Sequence, residues 1–347
     1  MAFNWQRDVD IKVAGSSRKQ TTIGTALADG LLDEALRMVE ATVPTETRQF
    51  RSDKGWIKGD EFAATLDVMR KDVRWSPSFE SSSWTLAWAW AFLLAKISTV
   101  TTDTTAFTHT ITCTEPPTDQ PLLPVTTISV KSTADLNAKY ADLVMKSLTM
   151  SGGNNAATLG LATEWIGSGV TAAAVASYPA LVSPEVGPLF NSNMTISLGT
   201  EGSPVAISER IQEWQIQASN NFHEDLAYYP GSGQVRARFP HGPRDVTITL
   251  GVFAKDVDDI VTLFDGTTSK EIKLKCEGAL AGAATALHTF QARFPATRIT
   301  AVDRSGDTGF RLHRITIGPE GVFRGATLTK PIEVQVINKD ATYLATS

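Results

Sequence analysis

Side chains that could do chemistry are few and scattered in this 347-residue chain. Its five histidines are His109, His223, His241, His288 and His313. No pair has the helical spacing that puts two imidazoles on one metal, and no cysteine-rich cluster accompanies them. His288 and His313 fall in segments that read as strands and could meet across a sheet, but ordinary strand histidines are the expectation. His223-Glu224-Asp225 is a dense polar cluster inside a long loop. That setting suits a solvated or contact-making loop better than a positioned acid–base group. The sequence has no GxSxG nucleophile elbow, no Walker loop and no GxGxxG opening a helix. A glycosidase-type pair of carboxylates can come from any two strands, and nothing singles one out. Cys113 and Cys276 are too few for a disulfide scaffold and read as two small buried apolar residues. The expectation is a protein without catalytic residues, cofactor or metal, made in a reducing compartment.

The more informative pattern lies in the elements around these residues. Asp72, Arg74, Ser76, Ser78 and Glu80 interleave with Val73, Trp75, Pro77 and Phe79. Asp245, Thr247 and Thr249 interleave with Val246, Ile248, Leu250 and Val252. Side chains alternate faces along a strand, so each stretch predicts a strand with one dry and one wet face. Each is preceded by a long polar loop and another alternating strand, and followed by a short helix. The first partner strand sets Val39, Ala41 and Val43 against Glu40 and Thr42 and runs on toward Glu46, with Pro44 marking an edge or bend. The second sets Trp214, Ile216 and Ala218 against Glu213, Gln215 and Gln217. The loops are Arg51–Met69, with Lys54, Lys58, Asp60 and Glu61, and Asn221–Pro243, with Tyr228, Tyr229, Arg236 and Arg238. Loops of this length are usually functional. The helices are predicted at Trp84–Ala95, after the N-cap candidates Ser81, Ser82 and Ser83, and near Lys255–Phe264.

The repeated order points to a duplicated β unit. The expected division is an arm over 1–35, a first unit over 36–166, a Gly/Ala/Ser/Pro-rich linker over 167–190 and a second unit over 191–347. Further strands are expected at 106–113, 125–130, 140–151, 157–165, 194–198, 205–219, 270–277, 287–294, 310–317 and 332–338. The formal net charge of −5 disfavours a general nucleic-acid coat. The longest apolar run, Trp84 to Ala95, is too short to span a bilayer, and the opening MAFNWQRDVDIKV has no signal-peptide core.

In arrangement the chain resembles the tail tube proteins of long, non-contractile phage tails. The segments that carry the likeness are SPSFESSSWTLAWAWAFLLAKI, AFTHTIT and LVMKSLTMSGGNNAATLGLATEWIGSG in the first half. IQEWQIQASNNFHEDLAYYPGSG and RDVTITLGVF carry it in the second. The resemblance implies a mainly β fold of two tandem sandwich or barrel units, each with one packed helix. It implies rings whose inner wall is a continuous β-barrel, stacked through long loops into a tube for DNA. A two-unit chain is similar to the version in which three subunits mimic a six-fold ring. The implied partners are copies of itself and other tail proteins such as tape measure, terminator and distal tail protein. DNA passes only transiently and no membrane is involved. The implied location is the virion tail, after assembly in the host cytoplasm.

On that reading the wet faces line the lumen: Glu40, Thr42 and Glu46; Asp72, Arg74, Ser78 and Glu80; Glu213, Gln215 and Gln217; Thr247 and Thr249. Loop residues Lys54, Lys58, Asp60, Glu61, Tyr228, Tyr229, Arg236 and Arg238 reach the next ring. Alternatives are a distal or adaptor ring protein of the same fold, a carbohydrate-binding sandwich, and a hydrolase on a β scaffold. The sandwich reading expects exposed aromatic platforms, whereas Trp75, Trp84, Trp88 and Trp214 sit on dry faces or the helix.

Overall fold

The computed structural model describes residues 12–345 apart from 41, 54–64, 114–122, 132–136, 154–155, 171, 177–188, 229–234, 237, 265–268, 283–284 and 305–311. The first half runs β1 (Lys12–Gly15), β2 (Glu34–Ala35), β3 (Thr45–Asp53), β4 (Thr65–Trp75), β5 (Ser78–Glu80) and α1 (Ser83–Leu94). It continues with β6 (Ala95–Asp103), β7 (Ala106–Cys113), β8 (Thr126–Lys131), β9 (Asn137–Gly153) and β10 (Gly160–Gly167). The second half runs β11 (Met194–Thr200), β12 (Ser203–Ala206), β13 (Ile211–Ser219), β14 (Asp245–Phe253), α2 (Val257–Phe264) and β15 (Lys270–Leu280). It ends with β16 (Leu287–Thr297), β17 (Ala301–Asp303), β18 (Leu312–Ile317), β19 (Val322–Phe323) and β20 (Glu333–Asn338).

These strands form two sheets in a sandwich-like, mainly β fold; neither sheet closes into a barrel. The large sheet has the order β17-β18-β14-β13-β9-β10-β4-β3, with β1, β2, β5 and β8 attached to it. The small sheet has the order β12-β11-β15-β16-β20-β7-β6, with β19 on β16. Each sheet takes strands from both halves. β13 pairs with β9 in the large sheet, and β20 pairs with β7 in the small one.

Helix α1 lies between the sheets, against β9 on one side and β7, β16 and β20 on the other. Every residue from Ser83 to Leu94 is buried, as expected of a helix that is apolar all round. Its start is set by a capping box. Thr85 N–H donates to Ser82 Oγ (3.1 Å), and Ser82 N–H donates to Thr85 Oγ1 (2.8 Å). Its end is set by Ala95, which takes a left-handed φ of 71° and starts β6 at once. Trp88 is central: it stacks on Trp84 at 6.0 Å and lies 5.0 Å from Trp165 of β10. Its indole N–H donates to Ser16 O (3.1 Å), which ties the N-terminal segment to the core.

Prolines redraw two expected strands. The expected strand over 38–43 is reduced to one bridge, Met38 to Phe79, and β3 begins only after Pro44. The stretch over 72–80 breaks at Ser76-Pro77, because proline has no N–H for the ladder, yet the faces keep alternating. The expected 205–219 strand divides at the turn Ser208–Arg210. Strand β6, which hairpins onto β7, and the short β17 were not anticipated. Residues 12–35 lie on their own chain: β1 pairs with β2 and β8, and Gln20 Nε2 donates to the buried Asp142 (2.8 Å).

Candidate functional site: the open polar face of the large sheet

The large sheet has one face toward α1 and the small sheet, where Trp214, Ile216, Val246, Ile248, Leu250, Leu148, Met150 and Leu161 are buried. Alternation puts the intervening residues on the other face. There the cross-strand register lines up polar rows. One row runs Ala301, Thr316, Thr249, Gln215, Ser151, Gly160, Glu80. The next runs Thr247, Gln217, Thr149, Ala162, Ser78. Gln215, Gln217, Ser78 and Glu80 are exposed, while Thr247 and Thr249 are half-buried. Glu213 completes the group and pairs with Arg314 Nε at 3.1 Å. Glycine at 251 leaves room for the Glu213 side chain, since a Cβ there would collide with Glu213 Cγ. Seven residues expected on the wet faces therefore share one surface. Ser151, Thr149, Thr316 and Arg314 belong to it as well and were not singled out. Their signal was available in the alternation of Thr149 and Ser151 with Leu148 and Met150.

The same face is covered at the β4 end. The Asn221–Pro243 loop leaves the sheet through a neck in which Phe222 and Phe239 pack with Leu123, Val125 and Val144. His223 N–H donates to Pro240 O (3.0 Å) and Gly242 N–H to Asn221 O (2.9 Å). Beyond the neck the loop folds back on its own sheet as a clasp. The Arg236 guanidinium, fully buried, donates from Nη2 to Asp72 (2.6 Å) and Glu224 (3.2 Å) and from Nε to Asp72 (2.9 Å). Its backbone N–H donates to Ser168 O (2.8 Å). Glu224 also meets Arg74 (2.6 Å) and Lys146 (3.3 Å). The Tyr228 hydroxyl donates to Asp72 (2.7 Å), and Arg70 lies 3.9 Å above its ring.

These contacts set the protonation of the cluster. Burial alone would raise Asp72, but the Tyr228 hydroxyl and the Arg236 charge outweigh it and hold Asp72 below its ordinary value. Burial likewise opposes ionisation of Glu224, and Arg74, Arg236 and Lys146 outweigh it. Arg236 stays charged despite burial because Tyr228 and Asp72 raise its pKa.

The remaining expected residues lie elsewhere. Glu46 pairs with Val73 and so shares that residue's face, whereas Thr45 and Thr47 pair with Arg74 and Asp72. Glu40 is exposed and Thr42 half-buried in the break before Pro44, and Thr42 O accepts from the Trp75 indole (3.1 Å). Arg238 is exposed and its Nε donates to Leu226 O (2.8 Å). Lys54, Lys58, Asp60, Glu61 and Tyr229 lie outside the described residues.

His288 and His313 stand in different sheets, on β16 and β18, and His288 Nδ1 instead bonds Ser83 Oγ (2.8 Å). Among the described residues no three His, Cys, Asp or Glu side chains gather as a metal site. Both cysteines are free, and burial pushes the Cys276 thiol up to about 12.

The family model for the phage tail tube protein matches residues 12–323. No curated protein matches the chain.

Proposed function

The chain belongs to the phage tail tube protein family, and on that premise we propose that the open polar face of its large sheet lines the lumen of a tube built from stacked rings. It is a structural component of the virion tail, from a family that is generally non-enzymatic. In the proposed assembly three chains, each carrying two equivalent strand groups, close a ring that looks nearly six-fold. DNA leaves through the channel. The rings stack through 221–243 and through the connection between β3 and β4, which the strands shorten from the expected 51–69 because β3 runs to Asp53 and β4 starts at Thr65. The tube meets the tape measure, terminator and distal tail proteins at its inside and ends. The protein is assembled in the host cytoplasm of a long-tailed, non-contractile phage.

One observation carries this reading: the rows of Thr, Ser, Gln and Glu across the sheet, interrupted by Gly160, Ala162 and Ala301, where the arginines Arg314 and Arg74 on that face are paired to Glu213 and Glu224. A wall of uncharged and acidic groups offers passing phosphates few counterion-releasing contacts. The folded-back clasp is compatible with stacking, because Leu226 and Arg238 point outward from it, with Leu226 55% exposed.

Electron microscopy of the purified protein tests the assembly. Rings or tubes with three-fold symmetry are expected, and a chain that stays monomeric on concentration would overturn it. Glu80→Lys with Glu213→Lys tests the lumen. Tubes should still form, but phage carrying them should eject DNA poorly. Unchanged ejection would remove these residues from the channel.

A further inference from the structure

The strand order of the large sheet is itself a repeat. From one edge it reads β17-β18-β14-β13 and then β9-β10-β4-β3. Each group begins with a hairpin, β17–β18 or β9–β10. Next comes the alternating strand that leads to a helix, β14 before α2 or β4 with β5 before α1. Last comes that strand's partner across a long loop, β13 or β3. A single antiparallel seam, β13 against β9, joins the groups. The strands at the two ends of this order are β3 and β17, which occupy in their own groups the places of β13 and β9.

We propose that β3 of one copy pairs antiparallel with β17 of the next, repeating between chains the seam that β13 and β9 make within one. The proposal rests on the ring reading above and names its contact. It also specifies a register. Asp72-Val73 and Asp245-Val246 match in the two alternating strands, which makes Trp75 equivalent to Ile248 and their core-facing partners Trp165 and Ile317 equivalent, so Thr316 corresponds to Glu164. Asp245 pairs with Ser219 and Asp72 with Thr47, so Thr47 stands where Ser219 does, and Thr45 where Gln217 does. Thr316 pairs with Ala301 and Glu164 with Ser147, so Ala301 stands for Ser147 and Asp303 for Thr149. Within the chain Ser219 faces Ser147 and Gln217 faces Thr149. Between chains Thr47 then faces Ala301, and Thr45 faces Asp303.

The four residues fit that role. All are exposed, and by register Thr45, Thr47 and Ala301 lie on the open polar face, so the rows would continue from chain to chain. Neither β3 nor β17 contains a proline, and the bulge of β3 at Gln49/Phe50 lies beyond Thr45 and Thr47, whereas β12, at the edge of the small sheet, carries Pro204. An edge of one kind meeting an edge of another is a head-to-tail contact, which closes into a ring when the rotation allows.

The test is a Thr47→Cys/Ala301→Cys variant, assembled under reducing conditions and then oxidised. Facing residues of an antiparallel pair have Cα atoms about 4.5–5.5 Å apart, within disulfide range. Non-reducing gels should show the monomer band lost into a ladder of linked copies, while either single variant stays monomeric. Tubes that form yet give no ladder would overturn the seam and leave the tube reading standing. Wild-type protein that never forms rings or tubes would overturn the tube reading itself. A map of wild-type tubes is the second measurement, independent of how the variant folds. It supports the proposal if β3 lies beside β17 of the next copy, and refutes it if either strand has another neighbour.

Discussion

Replacing Arg236 with alanine should open the clasp without unfolding the sandwich. The buried guanidinium bonds Asp72 through two nitrogens, at 2.6 and 2.9 Å, and Glu224 at 3.2 Å. After truncation Glu224 keeps Arg74 and Lys146, so the loss falls on Asp72, which keeps the Tyr228 hydroxyl and the nearby Arg70 charge. Breaking a fully buried ion pair costs about 3–5 kcal/mol. The Asp72 side chain is 18% exposed and keeps that hydroxyl, so we expect the lower value of about 2–3 kcal/mol. At 1.4 kcal/mol per tenfold, this is roughly a 30- to 150-fold rise in the open population. The apolar neck at Phe222 and Phe239 is untouched, so opening stays local. Hydrogen exchange at the amide of residue 236, which donates to Ser168 O, reads this directly. Its protection should fall by that factor while amides in β9 and β13 keep theirs. Adding Asp72→Asn should recover part of the loss, because it removes the stranded charge. Unchanged exchange at residue 236 would refute the reasoning, as would an equal loss of protection across the whole sheet.

The clasp should also weaken in acid. Asp72 and Glu224 titrate below their ordinary 3.8 and 4.5, so their contribution is complete above about pH 4.5 and is lost as pH falls through the lowered folded values. Exchange at residue 236 should rise only below that point, and an onset near neutrality would contradict it. Glu34 has the opposite sign: burial, with Asp33 and Asp340 nearby, pushes it up to about 8. The folded chain then holds a proton that the unfolded chain has released, so stability should decline from about pH 4.5 to about pH 8. Glu34→Gln should flatten that decline in thermal melts, and an unaltered pH profile would count against it. Trp88→Ala should cost about 3–5 kcal/mol by opening a cavity between α1 and β10, visible as a lower denaturant midpoint. Ser82→Ala should cost only about 1 kcal/mol through the lost cap, and a larger effect would mean that Ser82 does more than start the helix.

Local order made part of this protein legible from its sequence. The period-two patterns at 72–80, 213–218 and 245–252 identify wet and dry faces, because alternation is a property of each strand by itself. An apolar run bounded by Ser82 and wrapped in tryptophan identifies a helix buried on all sides, because no solvent-facing stripe exists in it. What the tertiary structure decided is who neighbours whom. Glu46 turns to the face of Val73 because it lies opposite that residue in the β3–β4 register, and a one-residue slip inverts a strand. Arg236 and Asp72 are 164 residues apart, and only the fold of the loop over β4 makes them a buried pair. The seam of β13 on β9 is likewise a long-range pairing with no local signal. It forms because an edge strand's unpaired N–H and C=O groups need a partner, and the chain's own second half is the nearest one to supply it.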